Sequence, residues 1–243
     1  MWFCIAYLHM KPAWLQAIIR KLLDFDGRGC WGRTMRKTTP DLDAAYGLKT
    51  PDDNIRLYAA WAKDYDQSFA EEMDYQLPLE VARLFANSGG QGPVLDIGAG
   101  TGLAGEALAR YGIGPIDAVD ISEEMLRVAG SKGLYRNLIT KDITTPFAPT
   151  FDRYAGMISS GTFTTGHVGP EALDRLLSVA LPGARFALSV NAAHWKAQGF
   201  DRKFIALEKQ ITQFELVDVA IYGRGNHGPH KEDRGNIALF QKL

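Results

Sequence analysis

The residues best suited to chemistry lie in one short run, Val94-Leu95-Asp96-Ile97-Gly98-Ala99-Gly100-Thr101-Gly102, and in a carboxylate further on, Asp120. Val94 to Ile97 is short and mostly apolar, as a buried strand must be, and glycines follow it at every second position. Such glycines allow a tight turn and let main-chain N–H groups approach a ligand with no Cβ in the way. Ile116-Asp117-Ala118-Val119-Asp120 reads as a second strand with Asp120 at its carboxyl end. A carboxylate there can accept hydrogen bonds from both hydroxyls of a ribose. A glycine triplet alone is a weak signal, but glycine turn and strand-end acid together point to a nucleoside cofactor.

Two cofactor classes compete for that site. Gly100-Thr101-Gly102-Leu103-Ala104-Gly105 formally matches the dinucleotide fingerprint, which keeps an NAD(P)-dependent oxidoreductase open. That register, however, begins two residues after Gly98, so the tight turn no longer follows the strand directly. It also leaves Asp96 at the strand end, where a pyrophosphate is repelled and a cation attracted. S-adenosylmethionine carries a sulfonium and an ammonium and no phosphate, so the electrostatics favour it.

The elements that must hold these residues alternate in type. Strands are expected at Pro93–Ile97, Ile116–Asp120, Leu138–Thr140, Tyr154–Ser159 and Arg185–Val190. A C-terminal antiparallel pair is expected at Leu216–Tyr222 and Asn236–Gln241. Helices are expected at Leu103–Tyr111, at Glu123–Ala129 behind a Ser122 cap, at Glu171–Leu181 and at Lys203–Gln213. This alternation predicts an α/β fold: a doubly wound, Rossmann-like, mostly parallel seven-stranded sheet whose ligand lies beyond the strands' carboxyl ends.

The run Val94 to Gly102 resembles the first motif of the class I S-adenosylmethionine-dependent methyltransferases almost letter for letter. The resemblance implies that Asp96 steadies the glycine loop and approaches the methionyl ammonium, and that Gly98, Ala99, Gly100 and Gly102 cradle the cofactor. Asp120, with Ile121 beside it, matches the ribose-binding position, and Asp142 with Ile143 the pair that holds the adenine. Ser159 and Ser160 fall where the family lines the methyl-transfer cavity. A closer likeness, to the Williams-Beuren-region methyltransferase-like group, rests on three segments. They are Tyr58-Ala59-Ala60-Trp61-Ala62-Lys63-Asp64-Tyr65-Asp66, Gly133-Leu134-Tyr135, and Gly161-Thr162-Phe163 through His167 and Pro170. It implies a helical lid carrying Tyr65 over the cofactor; with the change of charge at residue 37, the expected division is 1–37 leader, 38–91 lid, 92–243 cofactor-binding domain. Leu57, Trp61, Tyr65 and Ser68 also share a helical face, as packed core residues do.

Methyl transfer is an in-line displacement, so positioning supplies much of the rate, and an acceptor that loses a proton needs a base. His167, after the fourth strand, is the candidate base. His194 and Trp195, just past the fifth strand, are candidates to line a pocket for a small-molecule O or N acceptor. A module that binds the cofactor without catalysis is the other alternative, because no compelling acid–base pair stands out. His227, His230, Glu232 and Asp233 lie among Gly225, Gly228, Pro229 and Gly235, a hairpin-loop composition, so no metal is expected. There is no Asn-Pro-Pro-Tyr-type amide-methylating motif and no placed catalytic cysteine, which weighs against DNA-base methylation.

The composition agrees with this class. The chain has 243 residues, 46% hydrophobic, with 28 acidic against 27 basic side chains and two cysteines. That excludes a disulfide framework and a basic nucleic-acid footprint, and no apolar run is long enough to span a bilayer. The charge is uneven. Lys11, Arg20, Lys21, Arg28, Arg33, Arg36 and Lys37 face only Asp24 and Asp26 in residues 1–37, which also hold Trp2, Trp14 and Trp31. Pro12 to about Phe25 has helical amphipathic spacing, suited to packing on the domain or to contact with an anionic membrane surface. Translation from Met35 is a further reading of this segment. With no basic residue ahead of Trp2–Leu8, a secretory signal is not expected and the protein is read as cytoplasmic.

Overall fold

Asp96 apart, the strand Val94–Ile97 (β1) is apolar on both of its faces, and such a strand is stable only when both are covered. The computed structural model describes residues 45, 47, 48, 50–228 and 230–243, and it places β1 inside a seven-stranded sheet. The other strands are β2 (Ile116–Asp120), β3 (Tyr135–Thr140), β4 (Tyr154–Phe163), β5 (Ala180–Asn191), β6 (Ile211–Ala220) and β7 (Arg234–Lys242). Their order is β3-β2-β1-β4-β5-β7-β6. The first five run parallel, while β7 pairs antiparallel with both β5 and β6. The sheet is therefore mixed. Strand order reverses at the β1–β4 step, which is where such sheets open a ligand crevice.

Helices cover both faces. Leu95 and Ile97 pack with Met157, Leu173, Leu176 and Phe200, and so against the helices Ala172–Val179 (α5) and Phe200–Ala206 (α7). Val94 points the other way, to Val81, Phe85, Ala107 and Leu108 of the helices Leu77–Asn87 (α2) and Leu103–Ala109 (α3). Helix Glu123–Ser131 (α4) starts from its Ser122 cap, whose Oγ accepts from the Met125 amide. Ahead of the sheet lie helix Pro51–Trp61 (α1), closed by a Thr50–Asp53 capping box, and a π-helical turn at Asp66–Glu71. Among the described residues no helix is long and apolar enough to cross a membrane.

Several expectations shift. The helix expected at Lys203–Gln213 ends at Ala206, and β6 begins at Ile211. The alternation Ile211, Gln213, Glu215, Val217, Val219 belongs to a strand, but Gln213 has a positive φ of 52° and the register jumps between Thr212 and Glu215. That bulge breaks the period-2 pattern and hides it. Beyond β5, Asn191 caps an unanticipated helix, Ala192–Gln198 (α6), accepting from the amides of Ala193 and His194, and left-handed Gly199 ends it. β4 runs on to Phe163, past the expected end at Ser159. The leader, with its expected helix from Pro12, lies outside the described residues.

Candidate active site

The glycine turn joins β1 to α3 and forms one wall of a cavity of about 200 Å³. Gly98 has φ +61°, and a Cβ there would lie 2.0 Å from Thr162 Oγ1. Gly100 has φ +56°, and a Cβ there would meet nothing within 4 Å, so its backbone is bare toward open space. Asp120 fixes this conformation. Its Oδ2 accepts from the Gly100 amide at 2.8 Å and its Oδ1 from the Ser122 amide at 2.9 Å. Burial raises the Asp120 carboxyl above the usual range, while the amides of Ser122, Gly100 and Ile121 pull it back. A carboxylate has about four lone-pair sites, so two such bonds leave it able to accept more.

Asp96 is fully buried and stands beneath the loop, not among the residues lining the cavity. Its Oδ2 accepts the Tyr135 hydroxyl at 2.7 Å, and its Oδ1 is buried without a hydrogen-bond partner of good geometry. Burial pushes the carboxyl up to about 7, against the opposing pull of Tyr135 and the Gly105 amide. Tyr135 reaches across from β3 and lies over Gly105, where a Cβ would come within 2.2 Å of its hydroxyl. Sequence reading singled out Gly133-Leu134-Tyr135 as a motif but gave Tyr135 no role, since its partner is a strand-end residue two strands away in the sheet.

Ile121, Asp142 and Ile143 also line the cavity. Asp142 Oδ1 closes a local turn, accepting from the Thr144 amide at 2.8 Å and the Thr144 hydroxyl at 2.7 Å. Ile143 is anchored in the core. Ser159 does not reach the cavity; its buried hydroxyl donates to the Ile97 carbonyl at 2.8 Å, and Ser160 lines the wall instead. Gly102 likewise serves as the left-handed residue that begins α3.

The N-terminal segment supplies the remaining wall, through Thr50, Pro51, Asn54, Tyr58 and Tyr65. Trp61, Tyr65 and Phe69 form a continuous ring cluster, with Trp61–Tyr65 and Tyr65–Phe69 centroids both 5.0 Å apart. Burial raises the Tyr65 hydroxyl well above its ordinary value. Asp66 ties this segment to the turn: it accepts the Thr101 hydroxyl and pairs with Lys132 Nζ at 2.8 Å. His167 also faces the cavity, 3.0 Å from the Tyr58 hydroxyl. His194 and Trp195 do not. They are buried against Phe200 and Phe204, and His194 Nε2 meets the Val168 carbonyl at 3.0 Å, so they are core residues.

A carboxylate-braced glycine loop at the switch point of this sheet belongs to the class I S-adenosylmethionine-dependent methyltransferase fold. The chain is a member of the methyltransferase domain family, which matches residues 69–238, more than half its length. It is 28% identical to human methyltransferase-like protein 27 over 166 residues, 65% of this chain and 66% of that one; it thus spans just under two thirds of that relative's length. Among solved structures it resembles the DhpI–SAH complex, with a TM-score of 0.57 and 19% identity over 79% of this chain and 96% of that one. It also resembles the N-methyltransferase NodS from Bradyrhizobium japonicum WM9 in complex with S-adenosyl-L-homocysteine, with a TM-score of 0.52 and 16% identity over 74% and 98%. At these identities the structural likeness is one of fold.

Proposed function

We propose that the protein binds S-adenosylmethionine in this cavity and transfers its methyl group to a small-molecule oxygen or nitrogen acceptor. The observation that carries the proposal is that one cavity is lined both by the bare Gly100 backbone with the Asp120 carboxylate and by an aromatic wall with His167. The fit to the cofactor rests on two features: Gly100 leaves open space where a side chain would intrude, and Asp120 offers acceptors suited to ribose hydroxyls.

In this reading Asp120 and Ile121 hold the ribose, Asp142 and Ile143 the adenine, and Gly98, Ala99 and Gly100 the methionyl portion. Asp96 acts from beneath the loop, where a cationic ligand would favour its ionised form. Residues from Thr50 to Tyr75 form the lid, with Tyr65 over the cofactor and Asp66 latching it to Thr101. When bound, the cofactor supplies an electrophilic methyl on a sulfonium. The protein's own part is to align the acceptor for in-line attack, to exclude water with the Trp61–Tyr65–Phe69 cluster, and to present His167 for any proton released.

Isothermal calorimetry with S-adenosylmethionine, S-adenosylhomocysteine and NADH tests the reading. Binding of the first two and not the third is expected. Binding of NADH alone would mean that the glycine loop serves a dinucleotide.

A further inference from the structure

Gly102 begins α3 and Gly105 lies in its first turn, and both belong to the stretch that formally matches a dinucleotide fingerprint. Neither lines the cavity. What both meet is Tyr135, at the start of β3. A Cβ at Gly105 would lie 2.2 Å from its hydroxyl and 2.5 Å from its Cζ, and one at Gly102 would lie 3.0 Å from its Cε2. Gly105 thus leaves room for a phenol ring, and a dinucleotide is not needed to account for a glycine there. Ala99, Ala118 and Leu126 pack around the same ring, and of these Ala99 also lines the cavity.

From β3 the Tyr135 hydroxyl crosses β2 to reach Asp96 on β1, donating to its Oδ2 at 2.7 Å. Burial and the neighbouring Asp96 carboxylate hold that hydroxyl far above its ordinary value, so it stays protonated and donates. A hydrogen bond given to a carboxylate favours the ionised form, and here it opposes the burial that pushes Asp96 toward its acid form. Two further carboxyl groups face the pair: Asp120 from β2, which raises Asp96, and Glu106 from α3, which raises Tyr135. Lys132 at the end of α4 reaches both Glu106 and Asp66. β4, the other neighbour of β1, sets Ile158 beside Asp96.

We propose that Tyr135 is a positioning residue for the cofactor: with its ring fixed against Gly105 and Ala99, its hydroxyl keeps Asp96 available as a carboxylate beneath the glycine loop. The proposal rests on the S-adenosylmethionine reading above. Tyr135 does not line the cavity, so it acts on the ligand through Asp96. An ammonium is attracted by the carboxylate and not by the neutral acid. Without the hydroxyl, Asp96 keeps its proton to a higher pH, and an ammonium ligand must displace that proton in order to bind. Above both titrations the donor is missing from free and bound protein alike, and its loss cancels. A loop that was merely loosened would bind more weakly by the same factor at every pH.

The test is calorimetry of the full chain with S-adenosylhomocysteine, which carries the ammonium, on the parent and on Tyr135→Phe. The ligand's own titration is common to both proteins and drops out of the ratio of their Kd values. Tyr135→Phe should bind roughly 10-fold more weakly than the parent at about pH 6.5, and within about threefold of it at about pH 9. Should Tyr135→Phe fail to fold, Gly105→Ala carries the test alone: its methyl presses on the same hydroxyl, and the same trend with pH is expected. If the parent binds no S-adenosylhomocysteine, the underlying reading falls and the proposal with it. If the parent binds but the ratio is the same at both pH values, whether near one or well above it, the positioning role is overturned while the cofactor reading stands.

Discussion

Asp120 and Asp96 show how one side chain type serves two purposes within a few ångströms of a loop. Asp120 lines the cavity and spends part of its acceptor capacity on the Gly100 and Ser122 amides. Asp120→Ala removes the brace and, in the proposed reading, the ribose acceptors, and should weaken S-adenosylhomocysteine binding by about 2 kcal/mol, roughly 30-fold, measured by calorimetry. Asp96 predicts a pH effect. With its carboxyl raised to about 7, the folded protein holds that proton more tightly than the unfolded chain does between about pH 4 and 7. Stability from this group is therefore lost as pH rises through that window. Asp120, also raised, slopes the same way and persists in a variant at Asp96. Asp96→Asn should accordingly gain stability relative to the parent at pH 8 compared with pH 5, followed by urea unfolding. An equal difference at both pH values would show that Asp96 titrates as in the unfolded chain.

In the proposed reading, the element that governs access to the cofactor is the π-helical turn carrying Asp66. Its carboxylate joins Thr101 on the glycine loop to Lys132 at the end of α4, and Lys132 also reaches Glu106 at 3.3 Å. Asp66→Ala should release the turn and raise the dissociation rate of S-adenosylhomocysteine by about 10-fold in stopped-flow displacement; an unchanged rate would assign the latch elsewhere. Elements of this kind were the harder ones to read from sequence. β1, β2 and the glycine turn announce themselves because burial, strand period and positive φ each demand particular residue types at adjacent positions. The Tyr58–His167 and Tyr135–Asp96 pairs join residues far apart in the chain, and no local pattern marks them. His194 and Trp195 misled for the opposite reason. Their position after β5 is that of site residues, but the helix begun by Asn191 turns them into the core with Phe200 and Phe204.

For the whole molecule, ligand and fold stability are linked. S-adenosylhomocysteine at 100 times its Kd adds about 2.7 kcal/mol to the folded state. For a chain of 243 residues that corresponds to a melting-temperature rise of about 5–10 °C, which differential scanning fluorimetry reads directly. Asp120→Ala at the same ligand concentration should show a smaller rise.

The sheet order has a consequence for the chain as it is made. β7 sits between β5 and β6, and its hydrogen bonds are what attach β6 to the sheet. As the chain leaves the ribosome, β1 through β5 can assemble and helices can cover them, yet the outer edge of β5 stays open and β6 has no mate. Both are exposed strand edges of the kind that recruit other chains. β7, from Arg234 to Lys242, closes both at once. Until β7 docks, the folding chain thus carries two adhesive edges, and deletion of Arg234–Lys242 would leave both open.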